Sequence, residues 1–309
     1  MLVILVLCLF VGCKGDAKDG NAAPKGAVAT STGFSGSAAY GYAKTQVDFG
    51  PRVPGSPAAK LAGDWIIKQM RARADTVIVQ SFTYTTADGK KLPLRNILAR
   101  FRPELPERIL YVTHWDSRPV SESASTAAEK KLPVPGANDG ASGVGMFVAL
   151  GDVLKKTRPN VGVDLLFTDG EDYGEFGPPE VDVLIGAKYF ANHLPSPGYR
   201  PLYGVLWDMI GDKDLRIPYE MNSFQQAPEV VSRVWQTAAD LGHGDVFVQE
   251  SGGLITDDHI PLLNAGLRVI DVIDLLYPPH HTPQDTMDKI SAKSLGIVGD
   301  VATALVTRR

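Results

Sequence analysis

His114, Asp139, Glu171, Asp172, Asp208, Asp258 and His281 have the side chains for metal and proton chemistry. Each stands at the end of an apolar run or in a Gly/Pro/Asn-rich loop, where ligands and catalytic groups are commonly carried. The two cysteines of the chain, Cys8 and Cys13, both lie in its apolar N-terminal stretch, so a metal in the body of the chain takes His and carboxylate ligands. That donor set suits a zinc ion with an open position for substrate or water.

Taken singly, these residues have ordinary explanations. Asp139, in Pro135-Gly136-Ala137-Asn138-Asp139-Gly140-Ala141, fits a helix N-cap. Glu171-Asp172 fits a solvated acidic turn, and Asp208 fits a cap on the turn that follows it. His114 fits a core histidine bonded to Asp116. His281 fits a loop histidine, and spacing does not decide between it and its neighbour His280. Their joint occurrence at successive strand ends is what favours a metal centre. His259 reads as orienting an adjacent acid, and His193 and His243 as surface residues near helix ends. Trp115 and Trp207 read as core packing rather than as aromatic walls of a site.

Strand-like apolar runs occur at 76–84, 96–101, 109–113, 163–168, 204–207 and 268–273. Helical spacing occurs at 56–74, 141–156, 228–241 and 292–306. This alternation predicts an α/β fold, a single-domain three-layer sandwich whose mixed, largely parallel central sheet has helices on both faces. In such folds ligands bind beyond the carboxyl ends of the strands. Run 109–113 leads into His114, run 163–168 into Asp169-Gly170-Glu171-Asp172, and run 204–207 into Asp208, so the candidates fall where that rule puts them.

With 44% hydrophobic and 21% charged residues the chain has the composition of a globular protein. A net charge of −4 without a basic block argues against nucleic acid or an anionic surface as partner. Residues 1–13, MLVILVLCLFVGC, have the length of a signal-peptide core and fall short of the ~20 apolar residues that span a bilayer. Phe10-Val11-Gly12-Cys13 resembles a bacterial lipobox, with Phe10 where Leu is usual and without a basic region ahead of it. The expected organisation is a signal with lipobox at 1–13, a flexible tether at 14–37 and a catalytic domain at 38–309. The expected location is the bacterial cell envelope, with membrane attachment through a lipidated Cys13.

The motifs Phe49-Gly50-Pro51-Arg52-Val53-Pro54-Gly55-Ser56, His114-Trp115-Asp116-Ser117, Gly136-Ala137-Asn138-Asp139, Asp169-Gly170-Glu171-Asp172, Trp207-Asp208 and Asp257-Asp258-His259-Ile260-Pro261 occur in that order, followed by His281-Thr282. The chain thereby resembles the M28 zinc peptidase superfamily, and within it the glutaminyl cyclases most. The resemblance implies one zinc held by Asp139, Asp172 and His281, Glu171 as proton shuttle, and Asp208 and Asp258 in a carboxylate network beside the metal. It implies conversion of N-terminal Gln of peptides or proteins to pyroglutamate with release of ammonia. In the two-zinc aminopeptidases of the superfamily, the positions of His114 and Asp208 hold a second ion and that of Asp139 bridges. An exopeptidase is therefore the alternative, and a peptide-binding lipoprotein without turnover a third. The resemblance departs at Asp172, where Glu is usual, at Gly136-Ala137-Asn138-Asp139-Gly140-Ala141-Ser142, which reads more like the peptidase version of that turn, and at His280, where animal cyclases carry a pocket Trp. The segment Gly174-Glu175-Phe176-Gly177-Pro178-Pro179 offers Phe176 as an aromatic wall instead.

Overall fold

A computed structural model describes residues 32–307, and the expected signal and lipobox lie outside them. Three runs are buried at every position: β3 (Arg108–His114), β4 (Gly162–Thr168) and β5 (Tyr203–Asp208). Burial on both faces is the property of strands covered by helices on either side. They pair in parallel with one another and with β8 (Val269–Ile273), so four carboxyl ends open on one edge. β2 (Lys91–Phe101) joins β4 antiparallel, and β1 (Thr76–Thr85) pairs antiparallel with β2, giving the order β1-β2-β4-β3-β5-β8. The sheet is mixed and largely parallel, as expected.

Alternate residues of the strands point to two apolar layers. Ile97, Tyr111, Leu165, Phe167 and Val205 face the larger one, with α1 (Gly36–Val47), α2 (Pro57–Arg71), α3 (Ala141–Thr157), α6 (Pro228–Asp240) and α8 (Ala292–Thr307). Leu98, Leu110, Val112, Leu166 and Leu206 face the other, covered by Phe190 of α4 (Ile185–Asn192) and Leu262 of α7 (His259–Asn264). The remaining elements are α5 (Met221–Gln226) and a small sheet of β6 (Ile217–Tyr219) and β7 (Phe247–Ser251).

The folded body begins earlier than residue 38. Ser35 caps α1 through a bond from the Ala38 amide, and Phe34 packs on the core, so the last residues of the segment read as a tether belong to the domain. β2 starts at Lys91 rather than 96. Its first residues alternate exposed and buried, and Lys91, Pro93 and Arg95 hide the apolar pattern that Leu92 and Leu94 supply.

α3 is apolar nearly all round because it is wedged between the sheet and two helices. Its close approach depends on Gly143, where a Cβ would come within 2.0 Å of Thr113 Oγ1 and 2.8 Å of the Trp207 carbonyl oxygen. The Thr113 and Trp207 neighbours in sequence are His114 and Asp208, so this contact sets the distance from the helix start to both strand ends. Gly143→Ala is expected to lower unfolding stability by about 1–3 kcal/mol through overpacking. Urea denaturation checks this, and an unchanged midpoint would mean that α3 does not bear on the sheet so closely.

Candidate metal centre

The carboxyl ends of β3, β4 and β5 carry His114, Glu171-Asp172 and Asp208 to one place, and the turn before α3 brings Asp139 among them. His114 Nε2 lies 3.0 Å from Asp139 Oδ1 and 3.1 Å from Asp208 Oδ1, while its Nδ1 faces Asp116 at 3.5 Å and Glu171 at 3.6 Å. His281 Nε2 lies 3.4 Å from Asp172 Oδ1 and 3.7 Å from Asp139 Oδ2. Sequence-predicted residues from five segments thus meet, with Asp139 between the two histidines. Asp258 stands deeper, where its carboxylate accepts a hydrogen bond from Thr168 Oγ1 at the end of β4.

The backbone around these groups is held by buried charges. The Asp116 carboxylate accepts the amides of Glu171 at 3.1 Å and Asp172 at 3.2 Å. Asp285 accepts the amides of Asn138 at 2.8 Å and Asp139 at 3.1 Å. Arg52, fully buried, donates to the carbonyls of Pro135 and Gly136 on the other side of the same turn. Gly136 has φ +67°, and a Cβ there would stand 2.7 Å from Arg52 Nη2, so the turn requires glycine.

The donor set fits zinc. Asp139 Oδ2 and Asp172 Oδ2 are buried oxygens without a hydrogen-bond partner, and His281 Nε2 lies 3.7 Å from the first and 3.4 Å from the other oxygen of Asp172, so the three residues offer the O,O,N set of a catalytic zinc site. Two groups of the described residues keep single donor atoms within 4.8 Å of one another, His114, Asp139 and Asp208, and Asp139, His280 and His281, with Asp172 in neither. The latter brings His280 within reach of Asp139, with its ring 3.7 Å from that of His281. Asp172 leaves Oδ2 free of any hydrogen bond, which suits that oxygen to a metal beside Asp139 and His281.

Burial pushes the Glu171 carboxyl well above the ordinary carboxylate range, and Asp257, Asp172 and Asp258 add to this against the pull of His114. Burial likewise lifts Asp258 to about 7 and Asp257 well above its ordinary value. Asp139 goes the other way: burial raises it, but the hydrogen bond and charge of His114 outweigh burial and leave it low. Burial lowers His281, and Asp172, Glu122 and Asp139 reverse this to about 10. Asp139 is thus held toward its ionised form, whereas burial and the neighbouring Asp139 raise Asp172, and Glu171, Asp257 and Asp258 are held toward their neutral forms.

A cavity of about 600 Å³ opens onto these groups and is lined by Glu171, Asp172, Asp208, Asp257, His281 and, at its wall, Phe176. Trp207 is buried in the core against Tyr111, and Trp115 lines a separate cavity with Asp169, so neither walls the site. His259 meets Glu220 at 3.2 Å and Asp271 at 3.9 Å, which agrees with a role toward acids. His193 stacks on Tyr189 away from the centre.

Sequence reasoning passed over Arg118, Glu122 and Asp285. Arg118 Nη1 binds Asp172 Oδ1 at 2.7 Å, and its Nε binds Glu122 Oε2 at 2.7 Å. Glu122 Oε1 meets His281 Nδ1 at 2.6 Å. The available signal was position: both follow His114-Trp115-Asp116 in the long loop that leaves β3, and Asp285 stands four residues after His281 in a Thr/Pro-rich loop.

Residues 96–306 match peptidase family M28. A solved structure of Bacteroides thetaiotaomicron glutaminyl cyclase has a TM-score of 0.86 and 32% identity, covering 89% of this chain and 98% of that one. A leucine aminopeptidase precursor from the same organism has a TM-score of 0.86 and 33% identity, over 89% and 98%. The bovine glutaminyl-peptide cyclotransferase is 26% identical over 82% of this chain and 77% of its own length. The chain spans 39% of the length of a fungal probable zinc metalloprotease that it also matches.

The two adjacent histidines are separable by experiment. His281→Ala is expected to lose bound zinc, whereas His280→Ala retains it, as read by metal analysis after dialysis. The opposite pattern would reassign the ligand to His280.

Proposed function

This chain belongs to peptidase family M28, and from that premise we propose that it is a zinc-dependent glutaminyl-peptide cyclotransferase acting on N-terminal Gln of peptides or proteins. Asp139, Asp172 and His281 are the proposed zinc ligands. Bound zinc would supply Lewis-acid polarisation of the γ-carbonyl of the substrate glutamine.

The observation that carries the reading is that Asp257, next to Asp258 in the chain, lines the same cavity as Glu171, with all three carboxyls raised by burial. Cyclisation forms a bond between the α-amine nitrogen and the γ-carbonyl carbon and breaks the bond from that carbon to the amide nitrogen, which leaves as ammonia. Glu171 takes a proton from the α-nitrogen and returns it to the departing nitrogen, a task suited to a carboxyl that burial lifts above the ordinary range. Asp258, which accepts a hydrogen bond from Thr168, and Asp208, which meets His114, stand in the same enclosure as the carboxylate network. Because the nucleophile belongs to the substrate, folding the side chain back inside the cavity supplies much of the acceleration.

A second reading, hydrolysis by a two-zinc aminopeptidase, has its own observation: the compact His114, Asp139 and Asp208 grouping. There Glu171 would deprotonate a water instead.

Residues 1–13 and the likeness to a lipobox support the further proposal that the enzyme is exported and held at the cell envelope through Cys13. Among the described residues no helix is long and apolar enough to cross a membrane.

Incubation with Gln-peptides is expected to release ammonia without shortening the peptide, and Glu171→Gln to lower that rate by at least about 100-fold while zinc stays bound. Free amino acid from unmodified aminoacyl substrates, with two zinc ions per chain, would move the assignment to the exopeptidase. Separately, Cys13→Ala in the full chain is expected to shift the protein from the membrane fraction to the soluble one.

A further inference from the structure

Four side chains form a closed circuit at the candidate centre. Asp172 Oδ1 accepts from Arg118 Nη1 at 2.7 Å, Arg118 Nε donates to Glu122 Oε2 at 2.7 Å, and Glu122 Oε1 meets His281 Nδ1 at 2.6 Å. His281 Nε2 returns to Asp172 Oδ1 at 3.4 Å. We infer that Arg118 and Glu122 are positioning residues that select which atoms of His281 and Asp172 face the zinc. The inference rests on the reading that these two residues, with Asp139, hold that ion.

The selection follows from donor and acceptor chemistry. An ionised carboxylate only accepts, so Glu122 requires the proton of His281 to be on Nδ1, which leaves the Nε2 lone pair for a metal. Glu122 makes this contact with His281 rather than with His280, so it also decides between two histidines that spacing alone leaves equivalent. Arg118 occupies Oδ1 of Asp172 and leaves Oδ2, buried and without a hydrogen-bond partner, as the free ligand atom. The guanidinium is 3% exposed and lies over the Phe176 ring at 5.7 Å, so its planar fork is fixed in orientation while it joins the two acids.

The circuit also accounts for an aspartate at position 172, where the resemblance calls for a glutamate. A longer side chain anchored at the same backbone would carry its carboxylate beyond the point where Arg118 meets it. The shorter residue and the buried arginine therefore belong together. Glu122 and Arg118 are four apart but lie outside any helix, so their pairing is not a by-product of helical spacing. It depends on the path of the loop between β3 and α3.

A loop-stabilising pair without influence on the metal would give the same distances, and zinc affinity separates the two roles. The experiment titrates the zinc-loaded full chain against a chelator and records the absorption of the cobalt-substituted protein. Glu122 is 43% exposed at its side chain, so Glu122→Ala is expected to fold, which thermal melting of the metal-free protein verifies. Zinc affinity should fall on the order of 10–100-fold, with a changed cobalt spectrum. Glu122→Gln, which keeps an acceptor for His281 Nδ1, should recover a large part of the loss. Arg118→Ala should lower affinity as well, and the double variant should bind little worse than the poorer single one, since either change opens the circuit.

Affinity of Glu122→Ala within two-fold of the parent, or losses from the two single variants that simply add, would overturn the inference. A parent protein that binds no zinc would overturn it together with the reading beneath it. A parent that binds zinc and cyclises Gln-peptides, with an indifferent Glu122→Ala, would overturn the inference alone.

Discussion

Burying carboxylates side by side is costly, and the candidate centre of this fold is arranged around that cost. Asp116, Asp139, Glu171, Asp172, Asp208 and Asp258 are each 7% exposed or less at one edge of one sheet. Unpaired, such charges are not tolerated in a low-dielectric interior. Three kinds of compensation occur. Some acids are held toward their neutral forms, as burial holds Glu171 and Asp257. Others meet fixed cations, as Asp172 meets Arg118. Asp139 and Asp172 each retain an unpartnered oxygen that a dication would satisfy.

The same charges shape the backbone. Asp116 gathers the amides of the turn after β4, Asp285 gathers those of the turn before α3, and Arg52 gathers the carbonyls opposite. Buried polar networks rigidify a structure when every member is paired. Here the pairing makes the metal-facing side chains extensions of strand ends and braced turns rather than of free loops. The apolar body contributes by distance: α3 can approach β3 and β5 because Gly143 has no side chain.

Much of this was legible in the chain, for reasons that differ by residue. β3, β4 and β5 read as uninterrupted apolar runs because both of their faces are covered, and their carboxyl ends named His114, Glu171-Asp172 and Asp208 by position. β2 was half missed because Lys91 and Arg95 lie on an exposed face, where composition says nothing of pairing. α1 and α4 escaped notice through short or weakly patterned faces. Arg118, Glu122 and Asp285 could not be assigned because their meaning is a contact with residues distant along the chain: Asp172 is 54 positions from Arg118, and Asp139 is 146 from Asp285. An arginine in a loop has no local pattern that distinguishes a surface charge from a brace.

The choice between cyclisation and hydrolysis comes down to one nitrogen. His114 Nε2 stands 3.0 Å from Asp139 and 3.1 Å from Asp208, so either a proton shared with those acids or a second ion occupies that position. Burial works against the imidazolium, but Asp208, Asp116 and Asp139 together raise His114 well above its ordinary value. Asp139 and Asp172 each leave an unpartnered oxygen for a dication, Arg118 pairs with both Asp172 and Glu122, and His114 meets Asp208 at 3.1 Å. A second dication would have to displace the histidine's proton and also enter an enclosure whose other acids, Glu171, Asp257 and Asp258, are held toward their neutral forms. A protonated enclosure suits a reaction that moves a proton between two nitrogens of the substrate and needs no bound hydroxide. The scaffold thus has the residues for both chemistries, and the state of the His114 nitrogen is what separates them.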